Sequence, residues 1–472
     1  MDNATIAAIA TPSGEGGIGI VRISGPDAAD IAGRIFRRKG KGRGPAVDRG
    51  IDLRSIESHR LLYGTIVDPG NNQVIDEVLL GWMAGPHTYT REDTVELSCH
   101  GGPLPLRETL RVALAAGARF AEPGEFTLRA FLNGRLDLAQ AEAVLQVIGA
   151  RTAESLHLAV SDLAGDLTRR LAPGGTALVS LLAYLDASAD FPDDEIDTSD
   201  IDLGLNAAEE ALAAVIAGSR AGMLYREGAR IALVGRPNVG KSSLLNALLR
   251  TDRAIVTPIA GTTRDVIEET INLDGIPATL LDTAGIVESS DPVERIGVER
   301  SRAALSTSAA IVLVLDGAAD STSDDLAIIH TLATRAVDEQ TPLVIARNKS
   351  DLAVRGNHDA ALTLLVDVDA PVVHVSATTG EGLGALERTL AEMLRGSSGS
   401  ARPAMITARQ HAAVERALAH IHDAQQARVA GVPQDLLATS VRAALHAVGE
   451  VTGEEVDEAV LHEIFSRFCI GK

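Results

Sequence analysis

The sequence predicts a multidomain chain of α/β and all-α parts. An α+β region spans residues 1–120, a discontinuous helical region covers 121–220 and 396–472, and an α/β domain over 221–395 is inserted between the helical pieces. Three observations predict this. The chain has 472 residues, and at roughly 100–200 residues per domain that is two to four domains. Continuous apolar runs alternate with helical stretches in the third zone. Ala/Leu-rich helical patterns flank that zone on both sides.

In residues 1–120, short β-type runs such as Ile18-Gly19-Ile20-Val21-Arg22-Ile23 and Thr94-Val95-Glu96-Leu97 are punctuated by Gly/Pro turns, as in an α+β domain. From 121 the periodicity turns helical, for example from Leu136 to Leu145, with apolar residues at helical spacing. Ile231-Ala232-Leu233-Val234, the run Ala310 to Leu315, and Leu343-Val344-Ile345-Ala346 are apolar throughout. Strands without polar alternation, separated by helices, indicate a parallel sheet covered on both faces. Gly396-Ser397-Ser398-Gly399-Ser400 reads as a flexible connector, and residues 403–472 are helical again. The two helical zones are expected to pack together, because a domain inserts easily where its own termini lie close.

Composition narrows the function classes. With 43 basic and 64 acidic side chains the formal charge is −21, which argues against a general polyanion binder. Nucleic-acid contact must be local or assisted by a partner. Two cysteines, Cys99 and Cys469, exclude a disulfide scaffold and a four-cysteine zinc site. The uncharged stretch Leu171 to Leu185 has 15 residues and contains Pro173-Gly174-Gly175, too short and broken to span a bilayer. Asp2 and the absence of a basic segment argue against a secretory signal. A cytoplasmic protein with no membrane contact is expected.

Gly235-Arg236-Pro237-Asn238-Val239-Gly240-Lys241-Ser242 fits G-x-x-x-x-G-K-[ST], after an apolar strand and before a helical run, Ser243 to Leu249. Backbone N–H groups of such a loop cradle phosphates. Lys241 is expected at the β- and γ-phosphates, and the Ser242 hydroxyl on Mg²⁺. Asp282-Thr283-Ala284-Gly285 ends an apolar strand, placing Asp282 near Mg²⁺ and the Gly285 N–H near the γ-phosphate. Asn348-Lys349-Ser350-Asp351 follows another strand. Its carboxylate, Asp351, accepts the paired N–H donors of guanine, which adenine lacks. Ser376-Ala377 offers a backbone N–H to the guanine O6. Together these predict a GTPase.

The hydrolytic machinery is less ordinary. Ile286 stands where many GTPases carry a water-orienting glutamine, and no arginine finger is identifiable from spacing. Such a site left alone turns over slowly, on the order of 10⁻⁴ s⁻¹. Another cation is therefore expected, with Asn238 as a candidate ligand and Gly261-Thr262-Thr263-Arg264-Asp265 supplying hydroxyls opposite it. Thr263 is the expected second Mg²⁺ ligand. Glu294 is the candidate water-positioning acid, against the plainer reading of a solvated helix-face glutamate.

The phosphate loop and Gly261-Thr262-Thr263-Arg264-Asp265 resemble the Era/Der/MnmE (TrmE-Era-EngA-YihA-Septin) group of GTPases. Within it, Ala10-Thr11-Pro12, Val21-Arg22-Ile23-Ser24-Gly25, His100-Gly101-Gly102-Pro103, the run Pro123 to Gly134, and Phe468-Cys469-Ile470-Gly471-Lys472 resemble the MnmE (TrmE) family of tRNA uridine-modifying GTPases. The resemblance runs from end to end. It implies an N-terminal α+β domain that binds tetrahydrofolate and dimerises, a discontinuous helical domain, and an inserted Ras-like P-loop G domain. It implies a homodimer that works with the FAD-containing MnmG (GidA) in a heterotetramer. Together they add a carboxymethylaminomethyl or aminomethyl group at C5 of the wobble uridine of certain tRNAs. The one-carbon unit is taken from 5-formyl- or 5,10-methylene-tetrahydrofolate.

The resemblance also assigns residues. K⁺ replaces the arginine finger, held by Asn238, Thr257, Ile259 and Thr262. Glu294 matches the family's catalytic glutamate. The nucleotide contacts fall on Asn238, Val239, Gly240, Lys241, Ser242 and Ser243; on Thr257, Pro258, Ile259, Ala260, Gly261, Thr262 and Thr263; and on Asp282, Thr283, Ala284, Gly285, Asn348, Lys349, Asp351, Ser376 and Ala377. The folate pocket falls on Arg22, Glu96, Arg135 and Lys472. Guanidinium groups suit glutamyl carboxylates, and Glu96 can pair with adjacent N–H donors of a pterin. Position 135 is lysine in some relatives; arginine keeps the charge and changes the geometry.

Other signals have plainer readings beside them. Arg34 to Arg43 carries six basic residues and no acid, fitting either a solvated loop tip or tRNA phosphate contacts. Asp186 to Asp202 carries eight acids and no base, a solvated turn or a partner-docking segment. Cys99 and His100 are neighbours on a strand and face opposite ways, which disfavours a dyad. Cys469 reads as either a buried structural thiol or a chemical group. Aromatic residues make up only 3%, which disfavours a base-stacking RNA platform. Two rivals remain: a ribosome-assembly GTPase of the Era/Der kind, and a folate-dependent transferase merely regulated by GTP.

Overall fold

A computed structural model describes residues 4–39, 50–190, 199–251, 270–282, 305–338, 341–353, 357–358, 362–365, 368, 370–396 and 402–472. The described residues fall into two compact units. One holds the chain up to Leu145 together with Gly449–Lys472, and the other lies between Gln146 and Val448.

In the first unit a seven-stranded sheet has the order β3-β4-β5-β6-β2-β1-β7. Its strands are β1 (Ile6–Ile9), β2 (Gly16–Ser24), β3 (Phe36–Arg38), β4 (Arg60–Val67), β5 (Val74–Met83), β6 (Thr94–Gly101) and β7 (Arg119–Phe120). All pairings are antiparallel except β1 with β7. Val78, Leu80 and Trp82 of β5 are buried while Glu77 and Leu79, alternating with them, are exposed. Such alternation leaves one face to be covered. Helices α1 (Ala28–Ile35) and α2 (Pro103–Ala115) cover it with Ile31, Ile35, Leu106 and Leu110.

A smaller core joins α3 (Glu125–Leu132) and the start of α4 (Leu138–Gly149) to the last helix, Glu458–Ser466, through Leu138, Ala141, Phe465 and Phe468. Asp137 starts α4 with a reciprocal cap: its N–H donates to Gln140 Oε1 at 2.9 Å, and Gln140 N–H donates to Asp137 Oδ1 at 2.7 Å.

The second unit contains a six-stranded sheet of order β13-β12-β11-β8-β10-β9. Its strands are β8 (Ala229–Val234), β9 (Thr270–Leu273), β10 (Ile276–Asp282), β11 (Ala310–Asp316), β12 (Leu343–Asn348) and β13 (Val372–His374). Every pairing is parallel except the β9–β10 hairpin. That hairpin turns on Asp274 and Gly275, with φ of 49° and 94°, the Asp-Gly chemistry of a two-residue turn. Successive residues of one strand face opposite layers, so both faces need cover. Ile231, Leu233, Val312 and Val314 pack with α8 (Lys241–Thr251), while Ala232, Val234, Leu313 and Leu315 pack with α9 (Ser323–Asp338). Leu386 and Leu390 of α10 (Leu383–Gly396) join the α8 layer.

The helical part of this unit comprises α5 (Ala153–Leu163), α6 (Asp166–Asp190), α7 (Ser199–Glu227), α11 (Ala408–Val429) and α12 (Gln434–Thr452). Helix α11, from the second helical zone, packs on α7 from the first. Helix α6 runs unbroken through Pro173-Gly174-Gly175, where the sequence reading put a break. Packing overrides local propensity there: a Cβ at Gly174 would lie 3.2 Å from Leu212, so the glycine lets α6 and α7 approach closely. Among the described residues no helix is long and apolar enough to cross a membrane.

Residues 402–407 form an extended strap against α6 and α7. Arg170 donates to the carbonyls of Arg402 and Pro403 at 3.0 and 2.9 Å, and Arg226 to that of Ile406 at 2.9 Å. A Cβ at Gly222 would lie 1.8 Å from Ala404 O. Glycine is required for this approach.

Candidate functional site

Strand β8 delivers the phosphate loop to the C-terminal edge of the parallel sheet, where ligands of open α/β sheets bind. Two glycines shape the loop. A Cβ at Gly235 would lie 2.4 Å from Val314 O, and one at Gly240 2.3 Å from Asn348 Nδ2. Asn348 ties the loops together: its Nδ2 donates to Val239 O at 2.9 Å and its Oδ1 accepts from Ala377 N–H at 3.0 Å. Ser376 Oγ donates to Asp351 Oδ1 at 2.6 Å. Lys349 Nζ reaches Asn238 O at 3.2 Å. The structure thus brings Asn238, Val239, Asn348, Lys349, Asp351, Ser376 and Ala377 into one hydrogen-bonded cluster, with Gly240 packed beside Asn348.

Lys241 opens α8 and is buried. Its Nζ donates to Gly235 O at 2.8 Å and Arg236 O at 3.0 Å. Burial lowers its pKa, while the charge of Asp282 pulls the other way. A desolvated ammonium whose hydrogen bonds among the described residues go to neutral carbonyls fits a cradle for phosphate. Ser242 Oγ donates to Asp282 Oδ2 at 2.7 Å, and an oxygen-only pair of this kind suits a hard cation such as Mg²⁺. Ser243 is exposed beside it.

Thr257, Pro258, Ile259, Ala260, Gly261, Thr262, Thr263, Thr283, Ala284, Gly285 and Glu294 lie outside the described residues. Of the expected K⁺ ligands, Asn238 alone is described, in the left-handed region with φ of 67°.

A second cluster forms in the first unit. Cross-strand register sets Arg22 of β2 opposite Glu96 of β6, with Nε donating to Oε1 at 2.9 Å. The Arg22 guanidinium stands 5.8 Å from the Tyr89 ring centroid and 5.5 Å from that of Phe126. Arg135 stands over the same Tyr89 ring at 4.7 Å. The chain's last residues complete the cluster, with Arg22 Nη1 donating to Gly471 O at 3.4 Å. Gly471 has φ of 95°, and a Cβ there would lie 2.2 Å from Ile9 O. Lys472 follows, half-buried. A cavity of about 440 Å³ is lined by Met83, Pro86, Thr88, Tyr89, Arg91 and Arg135, among others. Aromatic faces, guanidinium groups and a carboxylate suit a flat, donor-bearing ring with an acidic tail.

Sequence reasoning missed Tyr89 and Phe126. Phe126 lies in the run Pro123 to Gly134, in which Glu125 and Arg129 form a buried ion-pair network. Glu125 accepts from Arg119 and, at 2.9 Å, from Arg129. Arg129 also reaches Glu92 at 3.1 Å and Ala4 O at 2.8 Å. Burial acts to raise the Glu125 pKa, but hydrogen bonds from Arg119, the Glu122 N–H and Arg129 prevail and hold it low.

Cys99 is buried, and burial pushes its thiol up to about 11. His100 faces the other way and bonds Asp76 at 2.6 Å. Cys469 is exposed, not a buried thiol. Of the basic run, Arg34 and Arg37 donate to backbone carbonyls and Lys39 pairs with Glu77; residues 40–43 lie outside the described residues. At the acidic run, Asp186 and Asp202 pair with Arg442 and Arg428.

Comparison with known proteins fits this geometry. The family model "MnmE helical domain" matches residues 138–469, and "GTP-binding protein TrmE N-terminus" matches residues 5–135. A tRNA modification GTPase MnmE from Roseiflexus castenholzii is 50% identical over 485 aligned residues, covering 100% of both chains. Its counterparts from Chloroflexus aurantiacus and Levilactobacillus brevis are 49% and 41% identical, covering 100% and 99% of this chain and 100% and 98% of theirs. Among solved structures, the G domain of the T. maritima FeoB iron transporter covers 35% of this chain and 98% of its own length. Its identity is 27% and its TM-score 0.26, too low to carry an argument. Full-length identity and both family models converge: the chain belongs to the MnmE (TrmE) family of tRNA modification GTPases.

Proposed function

We propose that the chain hydrolyses GTP and couples that turnover to modification of C5 of the wobble uridine in certain tRNAs. The observation that carries the reading is one chain holding both a desolvated Lys241 cradle and the Arg22–Glu96–Gly471 cluster. Lys241 and the loop N–H groups bind the phosphates, while Asp351 and the Ala377 N–H read guanine. Ser242 and Thr263 would hold Mg²⁺, with Asp282 behind Ser242. Asn238, Thr257, Ile259 and Thr262 would hold K⁺, which when bound supplies the positive charge that other GTPases take from an arginine. Glu294 orients the attacking water.

Arg22, Glu96, Arg135 and Lys472 would hold 5-formyl- or 5,10-methylene-tetrahydrofolate, the source of the one-carbon unit. Exposed Cys469 is available to the modification chemistry. Domains at 1–120, 121–220, 221–395 and 396–472 divide the labour. The working form is a cytoplasmic homodimer, joined by an FAD-containing MnmG partner in a heterotetramer.

The test is nucleoside mass spectrometry of total tRNA from cells with and without the protein. Loss of C5-aminomethyl-type uridines, restored by wild type but not by Glu294→Gln, supports the reading. Unchanged nucleosides would sink it and leave a ribosome-assembly role as the next candidate.

A further inference from the structure

Asn238 and Lys349 are both non-glycine residues in the left-handed region, each with φ of 67°. They sit at the two ends of one hydrogen bond, Lys349 Nζ to Asn238 O at 3.2 Å. Residues kept in such conformations need surroundings that hold them there. The surroundings are acidic. Asp316, the last residue of β11, accepts from Lys349 Nζ at 2.6 Å through Oδ2 and from Ala318 N–H at 3.0 Å through Oδ1. Buried His358 bonds the Asp316 carbonyl at 3.1 Å and Ser321 Oγ at 2.6 Å, fixing the turn that carries the carboxylate. Nearby, buried Asp325 accepts from Arg236 Nε at 3.1 Å, and the Arg236 guanidinium also lies 4.0 Å from Asp316. The connection from β11 to α9 thus grips both a phosphate-loop side chain and the lysine of the guanine-reading loop.

We propose that Asp316 is a positioning residue: by holding the Lys349 ammonium against the Asn238 carbonyl, it couples guanine recognition to the conformation of the phosphate loop. The proposal rests on the reading above, in which Lys349 serves guanine binding and Asn238 a monovalent cation. Neutralising Asp316 frees Lys349, and the Asn238 turn loses the contact that offsets its backbone strain. Guanine affinity and cation response then change together. The Asp316 carboxyl is ionised throughout the working pH range: burial alone would raise its pKa, but the Lys349 hydrogen bond prevails and holds it low.

The experiment uses the full chain. GDP affinity is measured with a fluorescent GDP, and GTP hydrolysis is titrated with KCl. Asp316→Asn is expected to weaken GDP about tenfold and to raise the K⁺ concentration for half-maximal hydrolysis by a similar factor, as loss of a charge-assisted hydrogen bond implies. Asp316→Glu should restore part of both, and exposed Asp324→Asn should move neither. Weaker GDP binding with an unchanged K⁺ response overturns the coupling, as does no change in either.

A double-mutant cycle keeps the test independent of the cation reading. Glycine adopts the left-handed region freely. In K⁺-free buffer, Asp316→Asn should therefore cost less than about threefold in GDP affinity when combined with Asn238→Gly. An undiminished cost overturns the proposal. A wild-type protein indifferent to K⁺ overturns the cation reading alone, and the cycle still decides the coupling. Should Asp316→Asn fail to fold, Asp316→Ser carries the same cycle.

Discussion

The two candidate sites solve opposite electrostatic problems. Around Lys241 the protein desolvates a cation whose hydrogen bonds, among the described residues, go to carbonyl oxygens, and a phosphate would supply the missing negative partner. Around Arg22 the guanidinium already has Glu96, two aromatic rings and the Gly471 carbonyl. The first site is completed by what binds it. The second is complete as a scaffold, and a ligand must share partners already engaged. Preorganisation therefore takes two forms in one chain: a stored demand for negative charge, and a rigid, ring-lined frame.

The contrast can be broken most sharply at Lys241. Lys241→Ala should lower kcat/KM for GTP by about 10²–10³-fold, the scale of removing one donor to a transition-state oxyanion. Folate affinity by equilibrium dialysis should not change. A parallel fall in folate affinity would mean that the two sites are not independent. The reverse experiment is Arg129→Met, which leaves buried Glu125 with Arg119 and the Glu122 N–H but removes the cation it shares with Glu92. Losing such charge-assisted hydrogen bonds costs about 1.5–3 kcal/mol, visible as a lower urea midpoint for the first unit's transition, while GDP affinity holds. A smaller refinement is Tyr89→Ala, which removes the ring shared by Arg22 and Arg135. Folate binding should weaken by about tenfold, the range of a cation–π contact, and Tyr89→Leu should not rescue it.

The mildest expected effect concerns a third kind of charge. Asp162 is buried, and burial together with the charge of Asp166 pushes its pKa up to about 7, against the pull of Arg170 and Arg402. As pH rises from about 4, the unfolded chain releases this proton while the folded one keeps it. Stability therefore falls with pH, and the fall is complete above about 7. Asp162→Asn should flatten that decline, raising Tm at pH 8 more than at pH 5. An equal shift at both values would assign the effect to packing.

What the sequence disclosed follows from the same contrast. The nucleotide cradle is built from short contiguous loops after apolar strands, so spacing alone exposes Gly235 to Ser242 and Asn348 to Asp351. The second site is assembled from β2, β6, the loop at Tyr89, α3 and the last residues, and only resemblance pointed to it. Nothing local marks Tyr89 or Phe126 as partners of Arg22; sheet register and the packing of α3 create that relation. Asp316 and Asp325 carry no motif of their own, and only the fold sets them beside Lys349 and Arg236. Pro173-Gly174-Gly175 misleads because its local cost is outweighed by the close seating of Gly174 on α7.

The contact between Arg22 and Gly471 spans 449 positions, while the nucleotide sheet lies within one continuous stretch, Ala229–His374. On a ribosome these segments emerge far apart in time, and domains generally fold as units during synthesis. The GTP cradle has all its strands before the helix at Glu458–Ser466 exists, whereas Arg22 of the N-terminal sheet must wait for Gly471. A chain cut short after α10 would retain every strand and loop of the nucleotide site while lacking Gly471 and Lys472. Formation of the Arg22–Gly471 contact therefore reports that two segments of the first unit, 449 positions apart, have both been made and have folded together.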